Sequence, residues 1–384
     1  KDSWAGTAME QGNDGFEHLV ATSIRAMLAS QRPGGAFIAS PDFSQYQYCW
    51  LRDGSFIAYA LDRAGEHDSS DRFHSWCASS VDHIAPLMEA AVERAQLGKP
   101  IDPNAMPPAR FSVDGLVVND DWPNFQIDGY GTWLWSLHEH LQRSGARSLP
   151  GSLAPAVERV ARYLAEIGTA PCFDVWEESG GSVHTASLGC VYAGLVAASA
   201  MLSDQNFRDR ADVVRSEVLE RARREGRFEK SNSSTEVDAA LLWLSEPFRL
   251  CDPHERAFLE TARVVSTELD LDGGIRRYPA DTYFGGGAWP VLTASLGWYL
   301  ASIGELDEAR RRLQWIAEKF DVEGRLGEQF GGEGRDRGKY DEWVGRWGLP
   351  ARDLAWSHAM FVVLCDELDP ALRTATVDLD SPVC

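Results

Sequence analysis

"ASLGCVYAGLVAASAML", residues 186–202, runs for seventeen residues without a charge. A helix that is apolar on every side has to be buried on every side. Its Gly, Ala and Ser residues suit close packing of helix on helix rather than a coiled-coil seam. Five further stretches share this character: "GSFIAYAL" (54–61), "GYGTWLWSL" (129–137), "AALLWL" (239–244), "WPVLTASLGWYLASI" (289–303) and "AWSHAMFVVLC" (355–365). Between them lie six amphipathic stripes at helical spacing. The first carries Phe16, Leu19, Val20, Ile24, Met27 and Leu28, with Glu17 and Arg25 between. Others run through Phe73–Ile84, Val157–Ile167, Ala211–Ala222, Phe258–Leu269 and Leu306–Phe320. Six buried helices alternating with six half-buried ones predict two concentric rings, an (α/α)6 barrel, with residues 1–384 forming one all-α domain. An irregular all-α solenoid is the alternative.

Charge narrows the partners. Lys and Arg total 37 against 58 Asp and Glu, a net charge of -21, which repels phosphate backbones and anionic headgroups. Nucleic acid and membrane surfaces are therefore not expected as partners, and no window is expected to have membrane-spanning character. The seven cysteines are scattered and form no C-x-x-C pair; they read as free thiols of a cytoplasmic protein. The amino-terminal "KDSWAGTAMEQ" lacks the basic and apolar pattern of a leader. Fourteen Trp, 16 Phe and 10 Tyr make either a large core or platforms for flat apolar faces such as those of sugars.

Each buried stretch but one follows a short run of aromatic and charged residues: "YQYCWLRD" (46–53), "DDWPNFQID" (120–128), "DVWEESGGSVHT" (174–185), "IRRYPADTYFGGGAWP" (275–290), "RLGEQFGGEG" (325–334) and "RDLAW" (352–356). Parallel inner helices would gather these runs at one end of the barrel. Trp50, Arg52, Asp53, Trp122, Asp128, Trp176, Glu177, Glu178, Arg277, Trp289 and Glu328 would then meet in one pocket, with indoles to stack on sugar rings and charged groups to bind hydroxyls. Hydrolysis of a glycoside needs two carboxyl groups on opposite sides of one bond. Glu177 and Glu328 come from different turns of the ring and meet that demand, whereas Glu178 is expected to raise the pKa of Glu177. The loops 98–120 and 321–350 are long enough to be functional. "LDLDGG" (269–274) lacks the closing ligands of a calcium loop and reads as a turn.

In this order the motifs resemble glycoside hydrolase family 15, the inverting, exo-acting glucoamylases, over about residues 40–365. "YQYCWLRD" is similar to Y-x-Y-x-W-x-R-D, which implies that Arg52 and Asp53 grip the non-reducing glucose, with Tyr48 and Trp50 beside it. "WPNFQIDG" implies Trp122 as a stacking lid and places Asp128. "DVWEE" is similar to D-x-W-E-E, implying Glu177 as general acid and Glu178 as a sugar-hydroxyl ligand. Trp176 reads equally as pocket wall or core anchor. "RRYPADTYFGGGAWP" gives Arg277 and Trp289, with Ala280 where the family pattern has Glu. "GEQF" implies Glu328 as general base, and "DLAWSHA" closes the series.

The resemblance implies release of β-glucose from short α-glucosides, without cofactor or metal. The segment after Glu328 is longer and richer in Gly than the fungal pattern, which points to a reshaped leaving-group side and to α-1,6 (isomaltose-type) beside α-1,4 (maltose-type) substrates. Trehalases of the same family are the nearest rival; they are expected to carry Arg near the position of Glu178. An inverting phosphorylase would need a basic pocket, with Arg325 and Arg335 as its candidates. A silent sugar-binding barrel could lose one carboxylate, but both are present. His138 and His140, two apart on a helix, point different ways and do not form a shared metal site. His184 reads as a hydrogen-bonded helix start, His358 as a support for the pocket floor, and Cys49 and Cys190 as packing residues.

Overall fold

The computed structural model describes residues 13–370; the amino-terminal run and Cys384 lie outside them. In chain order the helices are α1 (Asn13–Ser30), α2 (Leu51–Arg63), α3 (His67–His83), α4 (Ala85–Gln96), α5 (Asp128–Arg143), α6 (Ala154–Ile167), α7 (Thr185–Leu202) and α8 (Gln205–Glu225). There follow α9 (Arg256–Glu268), α10 (Pro290–Ser302), α11 (Leu306–Ala317), the one-turn α12 (Gly332–Arg335), α13 (Arg337–Trp347) and α14 (Ala355–Leu368). Besides four short 3₁₀ segments among the described residues there are two short antiparallel pairs: β1 (Cys49–Trp50) with β2 (Arg110–Phe111), and β3 (Asp270–Leu271) with β4 (Gly274–Ile275). The second pair is the "LDLDGG" turn.

The charge-free stretches form the inner ring. Helix α2 packs on α5, α5 on α7, α7 on the segment Ala239–Leu244, that segment on α10, α10 on α14, and α14 back on α2. The ring closes, and with α1, α3, α6, α8, α9 and α11 outside it the architecture is an (α/α)6 barrel. Glycine makes the inner seam possible where α5 meets α7. A Cβ on Gly131 would lie 2.2 Å from the Cys190 carbonyl oxygen, and one on Gly194 would lie 2.6 Å from the Gly131 Cα.

Four local expectations change. The fourth inner stretch is a six-residue 3₁₀ segment, Ala239–Leu244, rather than an α-helix; Pro247, three residues on, has no N–H to continue a ladder. Pro86 restarts the chain after α3, giving the additional helix α4. The Gly-rich 321–350 region is not all loop: α13 forms within it, capped by the Asp336 side chain on Lys339 N and carrying Arg337–Asp341 and Lys339–Glu342 pairs. Finally, α7 does have the length and apolar character of a membrane span, against expectation. Of its residues 67% are buried within the barrel, and it packs between α5 and α8.

Candidate active site

The inner segments begin at one end of the ring, and their starts surround a pocket of about 460 Å³. Ten of the twelve sequence-predicted residues line it: Trp50, Arg52, Asp53, Trp122, Trp176, Glu177, Glu178, Arg277, Trp289 and Glu328. Tyr48 and Asp128 do not. Asp128 is fully buried at the start of α5 and pairs with Arg52 at 2.9 Å, so it holds the guanidinium rather than facing the pocket. Tyr48 lies behind Trp50, with the Arg110 guanidinium 4.2 Å from its ring centre.

The turn carrying Glu177 is built by Asp174. Its Oδ1 accepts the backbone N–H groups of Trp176 and Glu178, both at 2.9 Å, while its carbonyl accepts that of Glu177. This tight turn puts Glu177 at φ 69° and Ser179 at φ 54°, a region non-glycine residues adopt only when their surroundings enforce it. Lys230 bridges Asp174 and Asp238, at 3.3 and 3.0 Å, and Asp238 accepts the Trp176 indole N–H at 2.9 Å. Trp176 is thus both pocket wall and core anchor. The Trp50 indole N–H donates to Glu177 Oε1. Burial is the largest cause pushing the Glu177 carboxyl up, opposed by Arg52. The expectation that Glu178 does this is corrected, because Glu178 turns away and accepts from Arg277 at 3.3 Å and from the Tyr278 hydroxyl.

Glu328 is held differently. Its N–H donates to the Ala351 carbonyl at 2.9 Å, and two residues on Phe330 exchanges backbone hydrogen bonds with Ala288 at 2.8 and 2.9 Å. Trp289 N–H in turn reaches the Ile275 carbonyl at 2.8 Å. Three chain segments are thereby laced together, fixing Arg277, Trp289 and Glu328 as one unit. Below them His358 Nε2 donates to Asp353 Oδ1 at 2.8 Å, and its Nδ1 stands 3.0 Å from Ser23 Oγ. Glu328 is 1% exposed, and burial pushes its carboxyl up to about 7. Asp53, also buried, is pushed up to about 6, with Arg52 opposing.

Two tyrosines absent from the predicted set complete the site. Tyr46 O–H donates to Glu328 Oε1 at 2.7 Å, so Tyr283 O–H, 2.9 Å away, must be the donor to Tyr46. Glu328 Oε2 has no protein partner. Tyr46 was legible as the first Tyr of "YQYCW"; Tyr283 carried no signal separating it from other aromatics. The two phenols also join two aromatic walls. Tyr46 meets Trp50 at 5.7 Å and Trp50 meets Trp122 at 5.8 Å. Tyr283 meets Trp289 at 6.3 Å and Trp289 meets Trp176 at 5.6 Å.

The two long loops also contribute. Strand β2 brings Arg110 between the rings of Tyr48 and Trp122, 3.9 Å from the latter's centre, and it pairs with Asp120. Helix α13 places Trp343, Arg346 and Trp347 on the pocket rim, with Trp343 edge-on to Tyr283 at 4.9 Å. The cations a phosphorylase would use are engaged elsewhere. Arg335 donates to the carbonyls of Pro279, Asp281 and Gly285, and Arg325 pairs with Asp321 and Glu323. Arg277 is clamped by Asp281, with Nε at 2.9 Å. His184 contacts the Cys172 and Ser179 carbonyls at 3.0 and 3.1 Å, anchoring the start of α7. Cys49 and Cys190 are buried with thiols pushed well up by burial, so neither is a nucleophile.

A buried carboxyl, Glu328, and a half-buried one, Glu177, on one pocket walled by indoles and braced guanidiniums are the equipment of a glycoside hydrolase. Comparison narrows the class: the chain belongs to glycosyl hydrolases family 15, whose family model matches residues 16–323. Glu328 lies just beyond the matched stretch. Among curated proteins it is 37% identical to an isomaltose glucohydrolase of Kribbella flavida, covering 96% of this chain and 99% of that one. It is 24% identical to trehalase 2 of Sulfolobus acidocaldarius, over 85% of this chain and 61% of that one. Among solved structures, a wild-type glycosidase superposes with TM-score 0.87 at 36% identity, covering 92% of this chain and 96% of that one. A variant glycosidase solved with glucose matches equally well. A bacterial glucoamylase bound to acarbose shares the fold, with TM-score 0.68 at 20% identity over 91% of this chain and 55% of that one.

Proposed function

We propose that this glycoside hydrolase is an inverting, exo-acting glucohydrolase that releases β-glucose from the non-reducing end of short α-glucosides, with isomaltose-type α-1,6 linkages preferred over maltose-type α-1,4. The observation carrying this reading is that Glu177 and Glu328 line the same pocket, each raised by burial, so that one of the pair can hold a proton near neutral pH. Glu177 protonates the glycosidic oxygen, with the Trp50 indole holding its Oε1. Glu328 takes a proton from the attacking water through Oε2, while the phenol of Tyr46 stabilises the carboxylate at Oε1. Single displacement calls for carboxyls roughly 6.5–9.5 Å apart, with the water between.

Arg52, Asp53, Glu178 and Arg277 supply charged hydrogen bonds to the terminal glucose, and Trp50, Trp122, Trp176 and Trp289 supply ring faces. The naming of a 37% identical relative as an isomaltose glucohydrolase and the rim formed by α13 support a short substrate with a shaped leaving-group side. The six described cysteines are buried free thiols, which supports a reducing, cytoplasmic setting. Proton NMR of the first-formed anomer tests the mechanism: β-glucose is expected, and initial α-glucose overturns it. Assays of isomaltose, maltose and trehalose side by side test the substrate; a preference for trehalose would move the chain to the rival activity.

A further inference from the structure

At the end of the barrel away from the pocket, three helices bring imidazoles and carboxylates together. Asp62 ends α2, nine residues after Asp53 and so roughly 13 Å along the helix from it at 1.5 Å per residue. His140 ends α5, twelve residues and about 18 Å beyond Asp128. His67, Asp71 and His74 lie at i, i+4 and i+7 on α3, one face of one helix. Asp62, His74 and His140 are each buried, and one potential ligand atom from each lies within 4.8 Å of the others.

Their hydrogen bonding is incomplete as protein alone. His140 Nδ1 stands 2.8 Å from Asp62 Oδ1 and its Nε2 stands 3.0 Å from Asp71 Oδ1. A neutral imidazole has a proton for only one of those contacts, so without an ion His140 fills both only as the cation that Asp62 and Asp71 favour. His67 Nδ1 is 2.9 Å from the same Asp62 oxygen. His74, fully buried, has no hydrogen-bond partner on either ring nitrogen, and its ring centre is 5.1 Å from that of His140. Native structures rarely leave such a group unsatisfied. Among the described residues, the ion-pair partners of Asp62 and Asp71 are histidines, not Lys or Arg.

We propose that Asp62, His74 and His140, with His67 at the rim, bind a divalent transition-metal ion, zinc by donor type, that clasps inner helices α2 and α5 to outer helix α3. Imidazoles with one carboxylate select zinc over the hard cations, which take all-oxygen sets. Bonds of about 2.0–2.1 Å place tetrahedral donors roughly 3.3 Å apart, so the cluster closes by ring rotations of about an ångström. The ion gives His74 the partner it lacks. It also resolves His140, whose Nδ1 lone pair faces the ion beside Asp62 while Nε2–H donates to Asp71, the carboxylate support usual for a ligating histidine.

The test loads purified protein with zinc sulfate, removes loose ions by gel filtration through a weak chelator, and counts retained metal by mass spectrometry. Wild type and Glu328→Gln are expected to keep one equivalent, and His74→Ala to bind at least about tenfold more weakly. Cobalt(II) should give a tetrahedral visible spectrum in wild type that His74→Ala loses. Loss of metal in Glu328→Gln would assign the ion to the catalytic carboxyls and overturn the proposal, as would undiminished retention in His74→Ala or none in wild type. Should His74→Ala fail to fold, anomalous scattering from a zinc-soaked wild-type crystal decides: a peak among Asp62, His74 and His140 supports the site, and its absence there refutes it.

Discussion

The two proposed catalytic carboxyls, Glu177 and Glu328, line one pocket but are held by opposite means. Glu177 rides a turn closed by its own neighbours: Asp174, three residues back, supplies the hydrogen bonds that force φ to 69°. Glu328 sits at a bend in irregular chain whose support comes from afar, through Ala351, Ala288, Tyr46 and Tyr283. The acid side is a local motif with a distant brace, Lys230 and Asp238. The base side exists only once the ring has closed. The contrast teaches that damage to the acid side should be concentrated at single residues of one turn, and damage to the base side shared among several segments.

The largest effect comes from removing each carboxyl in turn. Glu328→Gln should lower kcat by roughly 10²–10⁴-fold on every substrate, because each needs the water deprotonated. Glu177→Gln should fall as far on isomaltose but much less on α-glucosyl fluoride, whose leaving group departs without a proton. Comparing the two variants on the two substrates checks the assignment; equal losses on the fluoride would break the distinction between acid and base.

Next in size is the turn itself. Asp174→Ala removes the acceptor of one buried and one half-buried backbone N–H group and leaves Lys230 with Asp238 and the Tyr278 ring. Unsatisfied buried donors cost about 1–3 kcal/mol each, so denaturant unfolding should show a loss of a few kcal/mol together with a collapse of kcat. A variant with native stability and rate would show that the strain at Glu177 is held by something other than this turn.

Tyr46→Phe probes the base side with a smaller change. The proposed base role needs Glu328 ionised, so activity should fall as pH drops through about 7, the value to which burial raises it. A phenol donating to the carboxylate favours the charged form and lowers the pKa. Its removal should therefore move the acid limb of kcat/KM to higher pH, by about one unit, while the fold is kept. A limb that stays put or moves down would detach Tyr46 from Glu328.

The same contrast governs how much could be read from sequence. The inner ring was legible because buried-all-round helices leave an unmistakable absence of charge, and the acid turn because its residues are contiguous in "DVWEE". Tyr283 and Arg110 were not, since their roles depend on contacts that no local pattern encodes. Arg110 is buried only because two rings, Tyr48 and Trp122, sandwich it from other loops. Helix α13 was hidden by the glycines around it, although Tyr340, Trp343, Val344 and Trp347 fall at i, i+3, i+4 and i+7 and pack, half-buried, on Phe43, Phe284 and Ala351. Asp128 was found but misplaced: an acid before a buried helix reads as a ligand, and only the 2.9 Å pair with Arg52 shows it bracing one.

Helix α13 also supplies the mildest test. Trp343 packs on Tyr283 and reaches the pocket only at its rim, on the opposite side of Tyr283 from the Tyr46–Glu328 chain in terms of bonding. A ring there can stack on the leaving sugar but has no role in proton transfer. Trp343→Ala should raise KM for isomaltose roughly 2- to 10-fold, the worth of one aromatic contact, and leave the pH limb and the inhibition constant of free glucose unchanged. If glucose inhibition weakens equally, Trp343 serves the terminal glucose instead, and the rim belongs with the inner wall rather than the leaving-group side.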